Sequence, residues 1–194
     1  LNNIGKNAKD LYVAILFTDI VGFTKLSEKM DPKDVLSLLS DYQAIMVDCI
    51  FAHRGTVDKF IGDAVMASFG TPKSAGNDAQ NAANCALEMN LKLQEVNKLR
   101  KKKGLKEIEH RIGIHYGPCV VGNIGSELRT EFAVIGDSVN VASRICDACK
   151  EFDTNLIISK IVADKINTNG RLVQIKDYKI RGRRGVIDLV KIYN

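Results

Sequence analysis

Residues Leu11–Thr18 (LYVAILFT) form a nearly unbroken apolar run. A short run without polar alternation reads as a strand covered on both faces, so the chain needs a sheet with other elements packed on each side. Helical signals come next. Asp31-Pro32 supplies an N-cap and then proline at the first helical position. Behind it Val35, Leu38, Leu39, Tyr42, Ile45, Met46, Cys49 and Ile50 recur with helical spacing, and Arg54-Gly55 ends the pattern. Thr56–Phe69 (TVDKFIGDAVMASF) divides into two short strands around Gly62-Asp63, a hairpin signal.

A second helix is expected from Asp78 to about Lys103, with Ala79, Ala82, Ala86, Met89 and Leu93 on one side. Strands are expected near 110–116 and 118–124, joined around Gly117-Pro118, and again over Phe132–Ile135. A helix from about Ser138 to Lys150 leads to a strand (LIIS), a short helix (KIVADKI) and a terminal hairpin. Hairpins mixed with crossovers imply a mixed sheet with helices mainly on one face. The expected class is α+β, a ferredoxin-like core elaborated with extra C-terminal strands. No composition break divides it, so residues 11–194 read as a single domain and residues 1–10 as a lead-in. At 194 residues the chain suits one domain with a sizeable core.

The net charge of +5 draws on two clusters, Arg100–Lys103 and Lys179, Arg181, Arg183 and Arg184. The first suits a helix C-terminus, where cations face the helix dipole. Nucleic-acid binding would want interleaved aromatics or a known module, and no nucleic-acid partner is expected. The five cysteines are odd in number and lack a second CxxC, which supports neither a disulfide framework nor a zinc site. They read as core residues in a reducing cytoplasm. No apolar run approaches the ~20 residues of a membrane helix, and no signal peptide is visible. The chain begins at Leu1 rather than Met, so a fragment is expected, with an upstream sensor or a membrane attachment in the parent.

Several side chains could carry chemistry. Asp19 stands where the first strand runs out and Asp63 at the hairpin turn. Two such carboxylates can converge on a hard cation, which wants carboxylates plus phosphate oxygens, though each alone also reads as an ordinary turn aspartate. Gly22 lets the backbone approach a ligand, and free amides at a helix start attract phosphate, but no GK[ST] comes after it to make a Walker loop. The segment IGDAV at 61–65 is echoed by IGDSV at 135–139. Asp63 has no helix to cap, whereas Asp137 is placed as an N-cap. In the helix behind it, Val139, Ala142, Ile145, Cys146 and Cys149 make one stripe. Asn140 and Arg144, four apart, share a face away from it. That face is either solvated or offers an amide and a guanidinium to an anionic ligand.

Together, FTDIVGFT, DKFIGDAVMASFG, RIGIHYGPCVVGNIG and VIGDSVNVASR resemble the signature blocks of class III adenylyl and guanylyl cyclase catalytic domains. The resemblance runs from about Tyr12 to Tyr193 and has the blocks in the right order, which is far more specific than any one block. It implies that Asp19 and Asp63, with the Ile20 carbonyl, bind two divalent ions, Mg2+ or Mn2+. It implies that amides of residues 20–24, among them Gly22, Phe23 and Thr24, hold the phosphates. By the same resemblance Lys59 faces the purine, Asn140 orients the ribose and Arg144 stabilises the transition state. Arg129 and Arg181 match the outer-phosphate residues less tightly. Two catalytic domains of this family pair head to tail. Each site then takes its metal aspartates from one chain and Lys59, Asn140 and Arg144 from the other.

The resemblance also exposes a departure. Many adenylyl cyclases carry Asp or Thr three residues before the glycine of the IGD block, where guanylyl cyclases often have Cys. Here that residue is Ala133, whose methyl accepts no hydrogen bond. The expectation is nonetheless an adenylyl cyclase acting on ATP as a homodimer, because a Lys59 ammonium can donate to adenine N1, whereas protonated guanine N1 wants an acceptor. The rivals are a guanylyl cyclase and a non-catalytic cyclase-like dimerisation module. The second should have lost a metal aspartate, the Asn or the Arg, and all are present. A diguanylate cyclase would want a GGDEF-type turn, which IGDAV is not. His53, His110 and His115 read as structural.

Overall fold

A computed structural model describes residues 8–126 and 129–193, without the side chains of residues 126, 129 and 130. The apolar run becomes β1 (Lys9–Ile20), two residues longer at each end than its apolar part. Next along the chain are α1 (Phe23–Ser27), α2 (Pro32–Ala52), β2 (Thr56–Ile61), β3 (Ala64–Phe69), α3 (Asp78–Lys102), β4 (His110–Ser126) and β5 (Arg129–Ile135). After them come α4 (Asp137–Ala148), β6 (Leu156–Ser159), α5 (Lys160–Ala163), β7 (Arg171–Tyr178) and β8 (Ile187–Tyr193).

The strands form one eight-stranded sheet in the order β2-β3-β1-β4-β6-β8-β7, with β5 added on the second half of β4. The β4–β6 pairing is parallel and the others are antiparallel. This is the expected mixed α+β sheet.

Successive residues of β1 alternate between faces, and both faces are dry. Ala14, Leu16 and Ile20 join α2 and α3 in the larger core, with Met46, Ile50, Phe69 and Met89. Val13, Ile15 and Phe17 face the other way, onto Met66, Ala142 and Cys146. Val162 of α5 sits in the larger core, so α4 is the exception to helices on one face. Each fully buried aliphatic side chain is worth roughly 1.5–3 kcal/mol. The long central strand therefore anchors both layers, and its end is held rigidly where Asp19 stands. The five cysteines are free and buried, as core residues should be.

Three expectations need correction. The break at Gly117-Pro118 is absent: β4 runs through it. The Pro118 carbonyl accepts from Ser138 Oγ at 2.8 Å, so its backbone faces away from β1. On that side β6 pairs with Ile112–Ile114 and β5 with residues from Val120 onward. Pro118 falls in the gap between them, where a missing N–H leaves no ladder bond unmade. Second, Asp137 does not cap α4. Gly136 is the N-cap, without a side-chain bond, and Asp137 is the first helical residue. Third, α2 is a 21-residue helix apolar enough by composition to cross a membrane, with a hydropathy of 1.5. Instead it packs Leu38, Tyr42, Met46, Cys49 and Ile50 into the core, and its N-cap Asp31 accepts from the Lys33 amide as its sequence predicts.

Candidate active site

β1 delivers Asp19 and Ile20 to the rim of the sheet, and the β2–β3 hairpin brings Asp63 beside them. The Ile20 amide donates to Asp63 Oδ2 at 2.8 Å. The Val21 amide donates to the Glu109 carbonyl at 2.8 Å. Those two amides are thus committed, which narrows the implied phosphate cradle to Gly22, Phe23 and Thr24. Gly22 caps α1 in the left-handed region, at φ 67.

Asp19 Oδ1 is buried and has no hydrogen-bond partner among the described residues. Burial pushes this carboxyl up to about 6; Arg111 opposes that, while Asp63 and Asp147 add to it. A buried, unpaired carboxylate oxygen is costly, and a cation is what would relieve it. Among the described residues no three His, Cys, Asp or Glu side chains cluster to hold a metal by themselves. Two carboxylates and the Ile20 carbonyl are an incomplete shell. They fit a hard ion that keeps room for water and substrate phosphates.

A second group lies on α4. Asn140 and Arg144 are exposed and line a surface pocket of about 420 Å3 with Asp137, Arg181 and Arg183. Arg144 Nη1 is 3.3 Å from Asp147 Oδ2, and Arg183 Nη2 is 3.0 Å from Asp137 Oδ2. Sequence reasoning did not single out Arg183 as a site residue, although the basic run from Lys179 to Arg184 was its signal. Arg129 begins β5 opposite Ser126, and its side chain lies outside the described residues.

The third group surrounds Lys59. Its side chain is half-exposed, and Nζ is 4.0 Å from Glu131 Oε1. Ala133, two residues along β5, is buried opposite Gly122. Glu131 is therefore the β5 side chain that reaches Lys59, and the sequence offered no sign of it. Within one chain Asp147 links two of these groups, lining a small pocket with Asp19 and pairing with Arg144, while Lys59 and Asp63 stand on one hairpin.

A polar relay lies behind the carboxylates. Thr18 Oγ1 and Tyr42 Oη are 2.7 Å apart, Tyr42 Oη and His110 Nδ1 3.2 Å, and His110 Nε2 and Asn90 Oδ1 2.8 Å. Burial pushes His110 down to about 4, so it is neutral. It donates from Nε2 and accepts the Tyr42 proton at Nδ1. His115, also lowered to about 4 by burial, bonds Ser159, and His53 bonds Glu88. All three histidines are engaged within the fold. A cavity of about 590 Å3 opens beside this relay near Asn90, Asn97 and Arg111.

The family described as the adenylate and guanylate cyclase catalytic domain matches residues 6–192. The chain belongs to that family. Adenylate cyclase 1 of Rhizobium meliloti is 33% identical over 188 residues, which cover 97% of this chain and 28% of that protein. Among solved structures, the adenylyl cyclase CyaB from P. aeruginosa superimposes with a TM-score of 0.87 at 28% identity, covering 96% of each chain. The guanylyl cyclase Cya2 gives 0.86 at 34% identity, covering 95% of this chain and 93% of that one. The cyclase domain spans about a third or less of the curated relatives it matches. Nucleotide cyclisation is thus the family's chemistry, and both adenylyl and guanylyl cyclases stand among the solved neighbours.

Proposed function

We propose that this cyclase domain converts ATP into 3′,5′-cyclic AMP and pyrophosphate by attack of the ribose 3′-hydroxyl on the α-phosphorus. The observation that carries the chemistry is the buried, unpartnered Asp19 oxygen beside Asp63. Two divalent cations, Mg2+ or Mn2+, would supply Lewis acidity that lowers the hydroxyl pKa and neutralises charge on the attacking and leaving oxygens. Asp19, Asp63 and the Ile20 carbonyl would hold them. The amides of Gly22, Phe23 and Thr24 would receive phosphate oxygens. Asn140 would orient the ribose, and Arg144 would release Asp147 to meet charge developing at the α-phosphorus. Arg129 and Arg181 would grip the outer phosphates. The protein's share is positioning and preorganised charge; no side-chain general base is required.

A pocket lined by Asn140, Arg144 and Arg181 but not by Asp19 or Asp63 supports sites shared across a head-to-tail homodimer. So does a band of exposed apolar side chains on one face of the β4–β5 ribbon: Val120, its cross-strand partner Ile135, and Ile124. A monomer rarely leaves such a band uncovered. We place the domain in the cytoplasm, under an upstream sensor or regulatory region of its parent.

Base choice rests on Lys59, whose ammonium suits adenine N1. One observation favours the guanylyl reading: Glu131 offers a carboxylate beside Lys59, and guanine presents donors. Incubating the purified domain with ATP or GTP and each metal, then identifying the cyclic product, tests both. ATP should be preferred, and Lys59→Glu should erode the preference by about tenfold. A parental preference for GTP, or a ratio unmoved by Lys59→Glu, would sink the ATP assignment.

A further inference from the structure

The hairpin that carries Lys59 contains an irregularity with a consequence for base choice. On β2, Val57 pairs with Ala67, but Lys59 pairs with Met66, so Asp58 is an extra residue and the register shifts there. In a regular strand Val57 and Lys59 would share a face. Here they do not. Val57 and Ala67 pack into the core beneath α2 and α3, whereas Met66, opposite Lys59, belongs to the core on the other face. One extra residue has turned Lys59 over, and its ammonium lies 4.0 Å from Glu131 Oε1. Bulges beside functional sites commonly re-aim a side chain in this way.

Asp58 is the bulged residue, and its carboxylate is tied to β3. Its Oδ1 accepts from Ser68 Oγ at 3.0 Å, and Ser68 is fully buried on β3. Ser68 Oγ is in turn 2.7 Å from Thr71 Oγ1, and Thr56 Oγ1 donates to the Thr71 carbonyl at 3.2 Å. The Asp58 Oδ2 atom is buried with no hydrogen-bond partner among the described residues. Burial pushes the carboxyl up to about 6, with the Ser68 bond and the Lys59 charge pulling it back. Keeping a carboxyl in such a place costs stability. A role beyond folding would account for it.

We propose that Asp58 is a positioning residue for base selection: bonded to Ser68, it fixes the bulge that turns Lys59 away from the helical core and toward Glu131. This rests on the reading of Lys59 as the residue that meets the base.

The test is the ratio of kcat/KM for ATP over GTP in the dimeric domain, with thermal unfolding measured alongside. Asp58→Ala should lower the ratio by about twofold to tenfold, the span of a typical net hydrogen bond. In a Lys59→Ala background it should lower it no further, because both changes remove the same contact. Ser68→Ala, which keeps the charge and removes the anchor, should shift the ratio the same way and serves if Asp58→Ala does not fold. Asp58→Asn keeps the oxygen that Ser68 bonds and should hold the parental ratio. If Lys59→Ala lowers the ratio while Asp58→Ala and Ser68→Ala only reduce both rates in proportion, the anchor is structural and the proposal fails alone. It fails too if Asp58→Asn falls as far as Asp58→Ala. If Lys59→Ala itself leaves the ratio unchanged, the base-reading role of Lys59 and this proposal fall together.

Discussion

The tripeptide Ile-Gly-Asp occurs at Ile61–Asp63 and again at Ile135–Asp137, and the chain folds it in two ways. In the first copy Gly62 takes a left-handed φ of 60 between two strands, and Asp63 turns back to accept the Ile20 amide. In the second, Gly136 takes φ 154 as the N-cap of α4, and Asp137 faces solvent against Arg183. The residues just downstream of each copy make the difference. Ala64-Val65-Met66 continues as an apolar strand, whereas Ser138-Val139-Asn140 starts an amphipathic helix whose Ser138 anchors to Pro118. The same carboxylate is placed beside the end of β1 in one copy and in a surface pair in the other.

The largest expected effect separates the two aspartates. Asp63→Asn and Asp19→Asn should each cut turnover on the order of 100-fold or more, because each would remove a charged ligand of the cations that act on the reacting phosphate. Asp137→Asn should cost less than about tenfold, since an exposed ion pair is worth under ~1 kcal/mol. Cyclic-nucleotide formation in Mg2+ and Mn2+ measures this, with circular dichroism to verify the fold. Equal losses at Asp63 and Asp137 would break the comparison.

Mixing sharpens it. Asn140 and Arg144 line a pocket that omits Asp19 and Asp63, and a shared site would bring the two sets together across a dimer. An Asp19→Asn/Asp63→Asn chain combined with an Arg144→Ala chain should recover up to about a quarter of parental activity, since half the dimers are mixed and each has one intact site. No recovery in demonstrably mixed dimers would show that each chain builds its site alone.

Much of this was legible because it depends on local pattern. The apolar run of β1, the Asp31-Pro32 start of α2 and the Gly62-Asp63 turn are fixed by neighbours in sequence. Pro118 misled because its tolerance depends on two strands that leave a gap beside it. Asp137 misled because the cap moved one residue to Gly136, which its backbone geometry allows. Glu131 and Arg183 became site residues only through contacts across 72 and 46 positions, Lys59–Glu131 and Asp137–Arg183, and nothing local announces such pairs. The Asp58 bulge was likewise silent, since a register slip is a property of two strands. Lys59 was singled out by motif order alone, whereas helical spacing had already put Asn140 and Arg144 on one face.

The glycines should respond unequally. A Cβ at Gly62 would meet nothing within 4 Å, whereas at Gly136 it would come within 3.2 Å of the Pro118 carbonyl oxygen and 3.4 Å of Cys119 Cα. Gly62→Ala should therefore cost about 1 kcal/mol, the left-handed penalty alone. Gly136→Ala should cost about 2–3 kcal/mol, because its backbone region is close to glycine-only and the neighbours are main chain. Thermal unfolding in the absence of nucleotide reads both. A reversed order would mean that the second copy has freedom to shift α4, and Asp137 would not be fixed to the surface.

The smallest effect tests what holds Asp137. Its partner Arg183 sits on the loop between β7 and β8, and the side chains are 63% and 46% exposed. Water and salt reach such a pair, so its Coulomb energy is largely screened. Arg183→Gln should lower stability by less than ~1 kcal/mol at low ionic strength, and the loss should fade as salt rises. Asp137→Asn should give the same loss, and the double variant no more than either alone, because only one interaction is present to remove. Asp63 offers the contrast: its bond to the Ile20 amide is partly buried, so a loss at Asp63→Asn should persist in high salt. Salt-insensitive destabilisation at Arg183 would place the pair in a drier setting than its exposure implies, and the two aspartates would then differ in partner but not in environment.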